Sequence, residues 1–457
     1  MKSLNFARYA FITVAVGLFA TSSDAAWTYT ETNTVVNGVS KGSITDGVWT
    51  FYTERAKGAT DELTVDASKG MSINPAQPAK IDFSEIEGDY KVVKFVGVRN
   101  TQSPLVLYTT EFIAPHCTNL SGQEIFYPGN NTYNTTLTKI ELREDVAVTL
   151  GSDRMFCNCT YLTSFTPNKI AGTSLRTEMF NGCSSLEGEF EFPECTSFAR
   201  NVFNGCAKLG GIKAENAISV GQSSFQGCSS LSNIVFSSFV ESIGNYAFKG
   251  CSKITTEFVQ GILHKGLTRL GNSATDRKGC FQDCTGLTGS LVWNCPNVTV
   301  IPQECFSGCS SLERVEIKSY VSEIQLKAFF NLKESAEIYL LEIPVEVYAA
   351  HAIARSSAPF PRVYLSGDIQ IWLEKMYENA SNHLIKKEEF GDTSWVSKNR
   401  DDVKWGRNIG TMVKSDTTMY EDGKVKDRNV VAFIMGNTNN GCWILKKPET
   451  GFKVIVR

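Results

Sequence analysis

The sequence predicts a β-rich solenoid of about eight or nine coils near 23 residues each, with a β segment in front and an α/β segment behind. Three observations lead there. Phenylalanine recurs at Phe156, Phe180, Phe203, Phe225, Phe248, Phe281, Phe306 and Phe329, in steps of 24, 23, 22, 23, 33, 25 and 23 residues. Cysteine stands three places after seven of them, at Cys159, Cys183, Cys206, Cys228, Cys251, Cys284 and Cys309, and Leu or Ile stands three places further on. The apolar positions after Leu231 (Ile234, Phe236, Val240, Ile243, Phe248) recur at the same offsets after Leu312 (Val315, Ile317, Val321, Ile324, Phe329). A unit this short cannot bury its apolar face alone, so its neighbours must bury it by stacking.

Taken in order, residues 1–25 read as a secretory signal. Lys2 and Arg8 precede the apolar run "YAFITVAVGLFA", and Ser23 and Ala25 supply small residues before a cut. The run is too short to span a bilayer, which takes about 20 residues. The mature chain is therefore expected to be exported, with no membrane-spanning segment. Residues 26–110 lack the period. "WTYTETNTVV" and "GVWTFYTERA" read as two strands separated by "NGVSKGSITD", and "DYKVVKFVGV" as another. A β cap over the first rung is expected, because an open array end must be covered. A glycan-binding module using Trp27, Tyr29, Trp49 and Tyr52 is the alternative.

Residues 111–341 hold the array. "LSNIVF" and "LERVEI" alternate as half-buried strands do, and "FVESIG" or "YVSEIQ" gives a second short extended piece. The interval from Phe112 to Phe156 is two periods, so Phe112 is taken as an earlier marker. The long step after Phe248 holds an insertion. Phe258, Ile262 and Leu263 suggest one or two helical turns, "SATDRKG" a loop. His264, Lys265, Arg269, Arg277 and Lys278 give the insertion positive charge. Loops projecting from rigid scaffolds often carry function.

Residues 342–390 read as a C-terminal cap: a strand at Arg362–Leu365, then a helix from about Asp368 with Ile371, Trp372, Met376 and Tyr377 on one side. Residues 391–457 read as three strands, with "NTNNG" a hairpin turn.

One cysteine per coil at constant phase, without partner histidines, is not the convergent pattern of a metal site. A column of small, soft side chains inside the stack fits better. Cys280 and Cys305 stand just before the Phe, where other coils carry Ala247, Ala328, Val202 or Met179, a small apolar site. Export favours disulfides, which leaves Cys280–Cys305 or Cys157–Cys159 as bridges to consider.

The units "YAFKGCSKI", "FQGCSSLSNIVFSSFVESIGNYAF" and "CFSGCSSLERVEIKSYVSEI" resemble the BspA-like class of leucine-rich repeats, over residues 112–341. The resemblance implies an exported or surface protein that binds other proteins, often host or matrix components. The solvent-facing ladder residues Glu313, Arg314, Glu316 and Lys318, with Ser232 and Asn233, would then form a contact face, and adhesion or envelope interaction would be the role. A structural spacer without a specific ligand is the second possibility.

Near-balanced charge, 45 Lys+Arg against 48 Asp+Glu, argues against a nucleic-acid partner. No nucleophile elbow, phosphate-cradling glycine loop or H-E-x-x-H occurs. His116, His264, His351 and His383 lie apart from each other, and no cofactor site is legible. An enzyme is not expected.

Overall fold

The computed structural model describes residues 26–340, apart from 37–38, 57–60, 75, 99, 131, 274 and 335, and the strands Glu346–Val347, Ile353–Ala354, Arg362–Leu365 and Ile444–Lys446. The signal segment, the helix expected from Asp368 and most of the C-terminal β segment lie outside these residues.

The chain winds into a solenoid of about ten turns. Each regular coil presents three ladders to the next. Longer strands stack in parallel, as Glu189–Glu191, Gly211–Ala214 and Asn233–Phe236 do. Two-residue strands form a second parallel ladder, Ser174–Leu175 through Ser197–Phe198, Ser219–Val220 and Ser242–Ile243 to Arg269–Leu270. The turn around each phenylalanine forms the third: Phe180 N–H donates to Val202 O at 2.9 Å and Gly182 N–H to Asn204 O at 2.7 Å. Backbone polar groups are thus satisfied between coils rather than within them, while the inward side chains join one core running from Trp27 to Ile338.

The Phe-x-Gly-Cys turn has a backbone reason. Two residues after the phenylalanine the chain must turn left-handed. Gly182, Gly205, Gly227, Gly250 and Gly308 have φ of 78°, 78°, 75°, 74° and 76° there. Where glycine is missing, Asn158, Asp283 and Asn331 take its place at φ 63°, 59° and 55°; Asn and Asp are the side chains that tolerate this region best. A Cβ on Gly227 would meet nothing closer than Gly205 Cα at 3.7 Å, so only the backbone is strained. Gly227→Ala is therefore expected to cost about 1 kcal/mol in urea denaturation, and Gly227→Asn less. Equal costs would contradict this account of the turn.

The phenylalanines form one column. Adjacent ring centroids from Phe156 through Phe180, Phe203, Phe225, Phe248, Phe281 and Phe306 to Phe329 lie 5.2, 5.2, 5.8, 5.5, 5.7, 5.4 and 5.7 Å apart, with planes within 13° of parallel. All are fully buried. The column has one more member than the sequence period suggested. Phe126 stacks on Phe156 at 5.7 Å, so it and not Phe112 is the marker before Phe156. Phe112 lies instead in the strand Thr109–Ile113. The extra residues between Phe126 and Asn134 hide the unit. Asn134 bridges Cys159 in parallel and donates to Phe126 O at 3.2 Å, standing where later coils have cysteine.

Two further boundaries differ from expectation. "NGVSKGSITD" contains a strand, Val39–Thr45, pairing antiparallel with Thr28–Val36 and Trp49–Arg55. Its two aliphatic residues, Val39 and Ile44, stand five apart and give no alternation to read. Gly42 is required there, because a Cβ would lie 2.5 Å from Thr30 O and 2.6 Å from the Tyr29 ring. Parallel stacking already starts at Glu62–Asp66 on Lys91–Val96, and it continues past Leu341: Arg362–Leu365 pairs with Glu337–Leu340, and Ile444–Lys446 with Arg362–Leu365. The Phe marker is lost there, but the strand spacing is kept. Trp27 and Trp49 are 2% and 0% exposed and pack against Phe51. They are core, so the glycan alternative loses the two ring faces it needed most.

Candidate binding site

The cysteines are not a chemical site. Cys183, Cys206, Cys228, Cys251, Cys284 and Cys309 are fully buried. Each thiol donates to the carbonyl of the preceding coil's phenylalanine, at 3.0, 3.1, 3.1, 3.0, 3.1 and 3.2 Å. A thiol is small enough for the column and is still a weak donor, which alanine is not. Burial pushes these thiols well above the ordinary cysteine range. Thiolate, the nucleophile and metal ligand, is therefore suppressed. Cys280 and Cys305 are equally buried, and all thirteen described cysteines are unbridged.

A marked irregularity of the stack lies at the insertion. The turns expected at Phe258, Ile262 and Leu263 form the helix Thr256–Ile262, capped by the Thr255 side chain accepting from Phe258 N–H. It occupies the place of a long strand and imitates one. Gln260 donates to Val292 O at 2.8 Å and accepts from Val292 N–H at 2.7 Å; Thr256 donates to Thr288 O at 2.6 Å and accepts from Thr288 N–H at 2.8 Å. Two side chains one turn apart thus satisfy the edge of the next strand, Gly289–Trp293. A helix is about 10 Å across, whereas stacked strands sit about 4.8 Å apart. Substituting one for the other forces the coils to splay, although the Phe248–Phe281 contact stays at 5.7 Å.

The splay opens the short-strand ladder. Arg269–Leu270 ends one sheet and Val300–Ile301 begins the next. Between them lies a cleft of about 450 Å³, lined by Glu241, Ser242, Arg269, Arg277, Asn297 and Thr299 among others. In intact rungs the residue after the short strand donates its N–H to the coil before: Gly244 to Val220 O at 2.8 Å, Gly271 to Ile243 O at 2.8 Å and Gln325 to Ile301 O at 3.1 Å. The equivalent residue after Val300–Ile301 is Pro302, which has no N–H to give. The strand alternation turns the backbone groups of Leu270 and Val300 toward the cleft, and among the described residues they find no partner there.

The loop behind the cleft is pinned by a reciprocal amide pair. Asn245 N–H donates to Asn272 Oδ1 at 3.1 Å, while Asn245 Oδ1 accepts from Asn272 N–H at 3.2 Å and Lys278 N–H at 2.9 Å. Of the cations read from the sequence, Arg269 and Arg277 meet in the cleft, and neither has an ion pair among the described residues. Lys278 pairs with Asp276 at 3.5 Å. Lys265 is exposed, its carbonyl held by Asn297 at 2.8 Å, and His264 accepts from Gly266 N–H at 2.8 Å; neither lines the cleft. The ladder at Leu312–Ile317 is compensated internally. Glu316 pairs with Arg314 at 2.9 Å and Lys318 at 3.2 Å, Glu313 pairs with Lys333, and Arg314 lies 3.9 Å over the Tyr339 ring. Pro302 was the sequence signal for the cleft that period reading passed over.

Six copies of the BspA type leucine rich repeat region match the chain, over residues 127–255, 196–335 and 274–357, which together span just over half of it. The chain belongs to this family. The glycine turn, the cysteine column and the paired short strands described above are thus the build of a BspA-type array, and the 33-residue coil with its helix is where this array departs from its own repeat. No curated protein sequence matches the chain. A leucine-rich cell surface protein from Faecalibacterium prausnitzii is 18% identical, with 72% of this chain and 96% of that chain covered and a TM-score of 0.35. The pneumococcal vaccine antigen PcpA is 12% identical, with 68% and 95% covered and a TM-score of 0.29. Both likenesses are too loose to bear on what this BspA-type chain binds. No described helix is long and apolar enough to cross a membrane.

Proposed function

We propose that this protein is an exported recognition scaffold that binds an extracellular or host protein at the cleft, in adhesion or envelope interaction, without catalysis or cofactor. One observation carries the reading: the short-strand ladder opens at the insertion, and two arginines without an ion pair among the described residues meet at that opening. The BspA-type repeat and the signal read at residues 1–25 support export. The neutralised ladder at Glu313, Arg314, Glu316 and Lys318 favours a second reading for that face, a solvated wall of a spacer.

The test is binding to a panel of matrix proteins, mucin and polysaccharides. Reversing both arginines, Arg269→Glu with Arg277→Glu, is expected to weaken protein binding at least about tenfold and to flatten its salt dependence. Stability should shift by no more than about 0.5 kcal/mol, since the positions are surface ones. Unchanged binding by the double reversal would remove the cleft from the account. Binding competed by sugars alone would restore the glycan alternative.

A further inference from the structure

We infer that the cleft takes a guest β-strand: an extended, acidic peptide segment of a partner protein, slotted between Arg269–Leu270 and Val300–Ile301 to complete the interrupted ladder. This rests on the recognition reading above and names how the partner is held. Both walls of the cleft are short-strand edges, one ending a sheet and the other beginning the next, and among the described residues the backbone groups of Leu270 on one side and Val300 on the other have no partner. Pairing an extended peptide with such an edge gives affinity through main-chain hydrogen bonds and specificity through alternate side chains. Here two facing edges are available, so one guest strand can be bonded on both sides.

At this coil the other two ladders are closed. On the long-strand face the helix Thr256–Ile262 fills the gap and satisfies Val292 and Thr288 through Gln260 and Thr256. At the phenylalanine turn, Phe248 N–H donates to Cys280 O at 2.9 Å without interruption. Pro302 keeps the lower wall from closing on the upper one, because the donor that would reach Leu270 O is absent. Charge sets the guest's composition. Arg269 and Arg277 have no anion of their own in the described structure, and Glu241 is the acid among the cleft's lining side chains. A guest strand carrying Glu or Asp on the face toward the arginines gains charge-assisted hydrogen bonds; a basic one meets repulsion. The cleft volume of about 450 Å³ falls in the range of formed ligand sites.

The experiment uses the full chain and three synthetic eight-residue peptides: alternating Val and Glu, the same with Gln for Glu, and the Val-Glu peptide N-methylated at alternate residues. The Val-Glu peptide is expected to bind saturably, the Gln peptide at least about tenfold more weakly, and the N-methylated peptide not measurably. Hydrogen exchange at Leu270 and Val300 should slow on adding the first peptide only. Equal binding of the N-methylated peptide, or no slowing at Leu270 and Val300, would overturn strand insertion. Should none of the peptides bind while a panel protein binds and loses affinity on Arg269→Glu with Arg277→Glu, the guest strand is wrong and the recognition reading stands. Should that double reversal leave panel binding unchanged, the recognition reading is the one that fails.

Discussion

Raising the pH from 8 to about 10.5 is expected to unfold this protein steeply, and the cysteine column is the cause. The six column thiols stay protonated in the fold, because burial pushes them well above the usual range. In the unfolded chain they ionise near pH 8.5. Their folded values are raised, so the stability they contribute is complete below the unfolded value and is lost as pH rises beyond it. Each such thiol removes about 1.4 kcal/mol per pH unit, and six remove about 8 kcal/mol per unit. That compares with a whole stability of about 5–15 kcal/mol for an ordinary domain. Urea denaturation under reducing conditions between pH 8 and 10 measures the slope. Cys228→Ala should reduce it by about 1.4 kcal/mol per unit, whatever that change does to stability at pH 7. A slope unchanged by Cys228→Ala would contradict the assignment of Cys228 as a buried neutral thiol.

Phe225→Ala is expected to cost about 3–5 kcal/mol. The ring stacks on Phe203 at 5.8 Å and Phe248 at 5.5 Å, and meets Phe198 edge-on at 5.1 Å, so truncation strips contacts from both neighbouring coils. Coils touch only their neighbours, and the loss therefore falls on two interfaces in the middle of the array. Denaturation of this variant followed by circular dichroism should broaden or split into two transitions, the halves on either side of residue 225 no longer melting together. Glu313→Ala, which breaks an exposed pair with Lys333, should change stability by no more than about 1 kcal/mol. Similar costs for the two changes would mean that the column does not hold the stack.

The sequence made the column legible because Phe, Cys and Leu keep their spacing whatever the intervening residues do. Phe126 escaped because extra residues separate it from Asn134, and because an asparagine, donating to its own coil's phenylalanine carbonyl, stands where later coils have cysteine. The helix in the long coil could be read from Phe258, Ile262 and Leu263. Its consequence could not: splaying follows from the width of a helix against a strand, a three-dimensional quantity without a residue pattern. Arg269 and Arg277 were singled out for their charge, yet so were His264, Lys265 and Lys278, and only the fold sorts those that face the cleft from those that do not. The contact face proposed at Glu313, Arg314, Glu316 and Lys318 looked available because the residues are polar; the pairing of each with a neighbour appears only when strands are laid side by side. The tryptophans at 27 and 49 were ambiguous for the reverse reason, since alternation along a strand does not say which face is inside.

Residue-resolved hydrogen exchange on the free protein tests the central claim most directly, distinguishing a short-strand ladder that is open between Leu270 and Val300 from one that is closed there. Gly244, Gly271 and Gln325, whose N–H groups bond to the preceding coil, should exchange slowly. Leu270 and Val300 should exchange orders of magnitude faster despite their buried side chains. Protection at Leu270 and Val300 equal to that of Gly271 and Gln325 would contradict it, because the ladder would then be closed and the cleft would not exist.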